Sequence, residues 1–275
     1  MTMISMSEIT TFRWSLEQDI ENYQQAGYRA LGVWRQKLSD GDEEAAIDLI
    51  YQSGLTVSNL MWAGGFTGSD GRSLEESLID AKQALWLAAS IDAGCLVMYP
   101  GGRNNHTLRH AGRLFRAALE ELVPIAEAYE VPIAIEPMHA ASAAEWTFLT
   151  DLTQVLEIVD KFQSPFLKLA IDTYHFPINS SQKRLLEKAA PHVAIVHLGD
   201  RRLPPTADHE RCPLGAGLLP LREIVQALQN GGYSGWYDVK LMGPEIESCD
   251  YWTLLEQSQA VAAEVTGSIA ARTLA

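Results

Sequence analysis

The chain has 275 residues, 47% of them hydrophobic and 20% charged, a balance that supports a large core and excludes a mainly disordered protein. Acidic residues outnumber basic ones by 35 to 21, and the net charge of -14 repels polyphosphate, so no nucleic-acid partner is expected. Cys95, Cys212 and Cys249 are too scattered for a disulfide framework, Met1 to Ser7 carries no basic stretch ahead of an apolar core, and no run reaches the roughly 18 apolar residues of a membrane span, so a soluble, cytoplasmic protein with no membrane partner is expected.

Along the chain, short β-rich apolar runs alternate with longer stretches of helical period, the signature of βα units. Strands are expected at residues 9–12, 30–34, 56–60, 95–99, 133–136, 167–172, 194–198 and 236–241. Amphipathic segments follow them in turn, at 16–26, 43–52, 74–89, 108–129, 152–162, 181–190, 221–230 and 251–265. Gly27, Gly54 and the pair Gly231-Gly232 stand where helices need a left-handed cap. Eight such units imply an α/β fold, a (β/α)8 TIM barrel forming one domain over residues 1–275. An open doubly wound sheet is the structural alternative, but no GxGxxG or Walker motif supports it. The connection over 200–219 is long, as functional loops often are.

In a parallel barrel the chemistry gathers at the C-terminal ends of the strands. Three strands end conspicuously: AIEP runs apolar up to Glu136, AIDTYH up to Asp172 with His175 beyond, and VHLGD carries His197 and then Asp200. Two carboxylates and an imidazole converging from neighbouring strands form an oxygen and nitrogen shell suited to Mn, Mg, Co or Zn. Taken singly, each acid is more often a helix cap or a salt-bridge partner, and His139 and His175 read equally well as surface loop histidines. Trp14, Trp34, Trp62 and Tyr99, with Arg103, Asn104 and Asn105, would line the mouth; aromatic faces and amides suit a small polyhydroxylated substrate, although aromatic residues at strand ends serve packing as often.

Together with Gly235-Trp236-Tyr237-Asp238-Val239, these motifs resemble the sugar phosphate isomerase/epimerase family, whose barrel is xylose isomerase-like and whose members include inosose dehydratase, hydroxypyruvate isomerase and the ketose 3-epimerases. The resemblance implies a divalent metal held by Glu136, Asp172, His197 and a glutamate on strand eight. It also implies substrate contacts from His175 and from Arg211 in the loop after strand seven. The chemistry it implies is proton abstraction next to a carbonyl, leading to isomerisation, epimerisation or dehydration.

The fourth ligand position departs from this pattern, because four residues after Trp236 stands Lys240. A protonated ammonium has no lone pair for a cation. Three arrangements are open: a weak metal site completed by water or Glu245, a metal-free site in which the Lys240 ammonium stands among Glu136 and Asp172, or a shifted register that turns Lys240 outward. Glu136 and Lys240 are the candidate catalytic pair. The alternative is a catalytically silent or metal-free barrel that binds a sugar-like ligand or a protein partner. A metal-dependent endonuclease-like hydrolase ranks last because of the acidic charge. Barrel helices often pair subunits, so a homodimer stays open.

Overall fold

The computed structural model describes residues 3–39, 41–176 and 180–267. Among them, eight parallel strands close into one barrel in sequence order: β1 (Met3–Ser7), β2 (Ala30–Trp34), β3 (Thr56–Gly64), β4 (Leu96–Tyr99), β5 (Ile133–Ile135), β6 (Leu167–Asp172), β7 (Val193–Leu198) and β8 (Trp236–Val239). The helices are α1 (Leu16–Gln25), α2 (Arg35–Ser39), α3 (Glu43–Ser53), α4 (Leu74–Ser90), α5 (Leu108–Tyr129), α6 (Leu152–Phe162), α7 (Ser180–Ala189), α8 (Leu221–Asn230), α9 (Pro244–Glu247) and α10 (Tyr251–Thr266). The fold is the expected (β/α)8 TIM barrel, and no described helix is long and apolar enough to cross a membrane.

Local chemistry explains where the helices begin. Ser15 and Gln18 form a capping box on α1, and Ser73 and Glu76 form one on α4, so backbone donors that the helix leaves open are satisfied by side chains. Thr107, Asp151 and Asp250 cap α5, α6 and α10 in the same way with a single side chain. The strands are buried on both faces, as parallel strands wrapped by helices must be. Their outward side chains pack with the helices in the main core, while Met61, Val97, Ala134, Ala170 and Ile195 form a smaller cluster.

One strand lies elsewhere than expected. Residues 9–12 fall in turns, and β1 is Met3–Ser7, paired with β8 from Met3↔Trp236 to Met6↔Val239. Its alternation is broken because Ser5 and Ser7 are polar yet fully buried, and the Ser5 hydroxyl donates to Asp238 at 2.7 Å. A polar residue inside the barrel erases the apolar run by which a parallel strand is read.

At the mouth, β3 runs on to Gly64, with a register irregularity against β4 between Met61 and Ala63. Gly64 has φ +147°, and a Cβ there would lie 1.8 Å from the Tyr99 carbonyl oxygen. Gly64→Ala is therefore expected to destabilise the fold by about 1–3 kcal/mol from the backbone conformation alone, and by more once the contact with β4 is counted. Urea denaturation checks this, and an unchanged midpoint would show that β3 and β4 can separate freely at this level.

Candidate active site

The four strands β5 to β8 place their terminal polar residues side by side. Glu136 follows β5 directly, Asp172 ends β6, His197 lies in β7 in register with Asp172, and Lys240 follows β8 with its amide still bonded to Leu198 O at 3.0 Å. Glu136, Asp172 and His197 are fully buried, and each offers a ligand atom within 4.8 Å of the others. Lys240 points inward, so the outward register is excluded. Its Nζ lies 3.2 and 3.3 Å from the two Glu136 oxygens, 3.1 Å from Asp172 Oδ2 and 3.3 Å from the Tyr99 hydroxyl. Tyr99 in turn donates to Glu136 Oε2 at 3.1 Å.

A second cation closes the other side. Arg211 Nη1 donates to both Asp172 oxygens at 3.0 and 2.9 Å, Nη2 donates to Asp208 Oδ1 at 2.8 Å, and the guanidinium carbon stands 4.3 Å from the centre of the Tyr174 ring. Arg211 is 1% exposed, so its charge is spent on internal pairs and not presented to solvent. His175 Nε2 faces Asp208 at 3.2 Å and Glu136 at 3.7 Å. His197 Nδ1 meets Glu136 Oε2 at 3.1 Å, while its Nε2 looks toward Asp238 Oδ2 at 3.9 Å.

These contacts set the ionisation of the cluster. Burial alone would raise the carboxyl of Asp172, but Arg211 and Lys240 reverse this and hold it well below the usual carboxylate range. Glu136 is also buried, and Lys240 and the His197 hydrogen bond bring it below its ordinary value. Burial would lower Lys240, yet Glu136, Tyr99 and Asp172 raise it well above the ordinary lysine value, so its ammonium persists. Asp208 is held down against burial by Arg211 and His175.

Two cavities flank this cluster. The larger, about 970 Å³, opens over β2 to β4 and is lined by Trp34, Trp62, Tyr99 and Trp146 with charged residues around them. The smaller, about 240 Å³, is reached by His175 and His139. Of the buried cluster, Tyr99 touches the first and His175 the second, while Glu136, Asp172, His197, Lys240 and Arg211 line neither.

The profile of the xylose isomerase-like TIM barrel family matches residues 20–257. The chain belongs to that family. It is 28% identical over 185 residues to an inosose isomerase of Halalkalibacterium halodurans, an alignment covering 66% of this chain and 64% of the relative. It is 30% identical over 119 residues to a D-psicose 3-epimerase of Enterocloster bolteae, covering 42% of this chain and 36% of that one. The chain thus spans less than two thirds of either relative. Among solved structures, the IolI protein crystallised with a zinc atom shares the fold at a TM-score of 0.84 and 20% identity, with 98% of this chain and 100% of that one covered.

Within this xylose isomerase-like barrel, two carboxylates and an imidazole have the donor types and the convergence of a metal group. The arrangement nonetheless does not fit a divalent ion. Both Glu136 oxygens face the Lys240 ammonium, both Asp172 oxygens accept from Arg211, and His197 Nδ1 is directed at Glu136. An ion at this point would sit beside a fixed positive charge and compete with it for the same lone pairs. Glu245, the acid available to complete a shell, is outside the cluster and pairs with Arg202 at 2.7 Å.

The remaining expected contacts divide. Trp34 and Tyr99 line the large cavity, and the Tyr99 hydroxyl enters the charged cluster. Trp14, expected beside the substrate, instead packs edge-on against Tyr251 at 5.0 Å and against Trp252 at 6.4 Å on α10, and does not line that cavity. Asp200 organises its own loop by accepting the amides of Gly215 and Gly217 at 3.1 and 3.0 Å. Asp208 and Trp146 join the site without having been anticipated. Asp208 stands three residues before Arg211 in the long 200–219 loop, the one signal that could have found it.

Proposed function

We propose that this chain is an isomerase- or epimerase-type enzyme for a small polyhydroxylated carbonyl compound, working without a metal. The observation that carries the reading is the Lys240 ammonium, 3.1–3.3 Å from Glu136, Asp172 and Tyr99 at the barrel centre. Glu136 takes the proton from the carbon beside the carbonyl, and Lys240 offsets the charge that develops on the enediolate oxygen. Return of the proton by Glu136 to the neighbouring carbon isomerises and loss of a β-hydroxyl dehydrates, while epimerisation requires a second group that delivers a proton to the opposite face. The inosose isomerase and the D-psicose 3-epimerase among the relatives support this reaction class. Lys240 has a double effect, since the charge that supports an enediolate also keeps Glu136 ionised and weakens it as a base. His175, next to Glu136 and Asp208, is the proposed substrate contact, and Arg211 holds Asp172 in place.

Elemental analysis and Mn titration of the wild type beside Lys240→Glu test this. The wild type is expected to bind no stoichiometric Mn, whereas Lys240→Glu, which restores an oxygen donor, is expected to take up about one ion per chain. A wild-type protein that holds an ion and loses it in Asp172→Ala would overturn the metal-free reading. A second reading, a silent barrel that binds a sugar-like ligand, is favoured by the complete burial of Glu136, Asp172 and His197. Exchange of a carbon-bound hydrogen in D2O separates the two, because only the enzyme catalyses it.

A further inference from the structure

We infer that the ligand of this barrel is an uncharged two-ring glycoside held in the large cavity over β2 to β4, one ring seated against Tyr99, which borders the Lys240–Glu136 cluster, and the other in the rest of the cavity. The inference deepens the enzymatic reading above and takes its location from it. The cavity measures about 970 Å³, at the top of the roughly 300–1,000 Å³ range of sites that enclose drug-sized ligands, and a single hexose would leave most of it to water.

One part of the wall of this cavity is aromatic. Trp62 and Trp146 meet edge to face with centroids 5.0 Å apart, and each lies within about 6 Å of the Tyr99 ring, at 6.0 and 5.9 Å. Such rings offer broad apolar surface to the C–H face of a sugar. Tyr99 belongs to both sides: it lines the cavity, and its hydroxyl stands 3.1 Å from Glu136 and 3.3 Å from Lys240. Among the cluster residues only Tyr99 lines this cavity, so a ring seated against Tyr99 leaves the rest of the cavity for a second ring. Trp34, which also lines the cavity, has a buried indole N–H with no acceptor among the described residues, a donor suited to a ligand oxygen.

The cavity carries two guanidinium groups, and both are already paired: Arg72 with Asp70 at 2.6 Å and Asp80 at 3.0 Å, Arg35 with Asp80 at 2.8 Å. Glu43 and Glu145 also line it and have no ion pair among the described residues, so four carboxylates stand against two cations. A phosphate ester would enter a negative field without a free cation to receive it, which selects an uncharged ligand.

The test is isothermal titration of the full chain with glucose, glucose 6-phosphate, maltose, cellobiose and phenyl β-glucoside. At least one two-ring compound is expected to bind about tenfold or more tightly than glucose, and glucose 6-phosphate no more tightly than glucose. Trp146→Ala is expected to lower the two-ring affinity by about tenfold or more. Gln83→Trp, at an exposed position on the cavity rim, is expected to do the same by filling it without touching the core. The inference is overturned if no two-ring compound gains over glucose, if the phosphate ester binds most tightly, or if a folded Gln83→Trp binds like the wild type. Tight binding of a reducing two-ring compound, maltose or cellobiose, without hydrogen exchange in D2O would remove the proton-transfer reading and keep this one; exchange in a monosaccharide with no two-ring binding would do the reverse.

Discussion

Replacing Lys240 by methionine is expected to lower the unfolding free energy by about 3–5 kcal/mol, the usual consequence of taking one partner from a buried ion pair. The side chain is 2% exposed and touches Glu136 and Asp172, both fully buried. Methionine preserves the volume and removes only the charge and the donors. Asp172 would keep Arg211, but Glu136 would lose its ammonium partner and keep the Tyr99 hydroxyl and the His197 and His175 imidazoles against full desolvation. The deficit should shrink in acid, where Glu136 takes up a proton instead of standing ionised beside Asp172. It should also shrink in the Lys240→Met, Glu136→Gln double variant, because neighbours that share a network are not additive. Urea titrations of the three proteins at pH 5 and pH 8 decide this. A double variant that loses the sum of the single losses would mean that Lys240 and Glu136 act independently, contrary to their spacing of 3.2 Å.

The parts of the site legible in the sequence were those on strands. An apolar run that ends in an acid, as at Glu136 and Asp172, marks the point where a buried strand reaches the mouth, and counting four residues from Trp236 located Lys240. The inward direction of Lys240 follows from its place just after β8, next to Leu198 of β7. Loops carry no such period. Asp208 and Trp146 arrive from the connections after β7 and β5, and no repeat in those segments tells which side chains turn inward. The polar interior near β1 was hidden for a further reason. Ser5, Ser58, Asn59 and Asp238 form one hydrogen-bonded group across three strands, and each alone reads as a surface residue until the barrel closes around it. Gly32 belongs to the same group, since a Cβ there would stand 2.4 Å from Asp238 Oδ2.

The same interior should give the protein a pH-dependent stability that Glu8→Gln removes. Glu8 lies just beyond β1 and is fully buried; its Oε2 accepts from the Trp34 amide at 2.7 Å, and its Oε1 has no partner among the described residues. Burial, reinforced by the negative charge of Asp19, pushes its carboxyl from 4.5 up to about 8. Between these values the folded protein holds a proton that the unfolded chain has released, so stability falls as pH rises. The contribution of Glu8 is complete below about pH 4.5 and is lost as pH climbs through about 8. Glutamine mimics the protonated acid and cannot ionise. Relative to wild type, Glu8→Gln should therefore gain about 1.4 kcal/mol per pH unit across this window, on the order of 5 kcal/mol in all, and level off above it. Asp19, raised to about 7 by burial despite its Lys37 partner, remains in the variant and leaves a weaker dependence of the same sign. Unfolding free energies of both proteins at pH 5, 6.5 and 8 provide the comparison. Parallel curves would show that Glu8 ionises as easily in the barrel as in the unfolded chain, and that water reaches the carboxylate below Trp34.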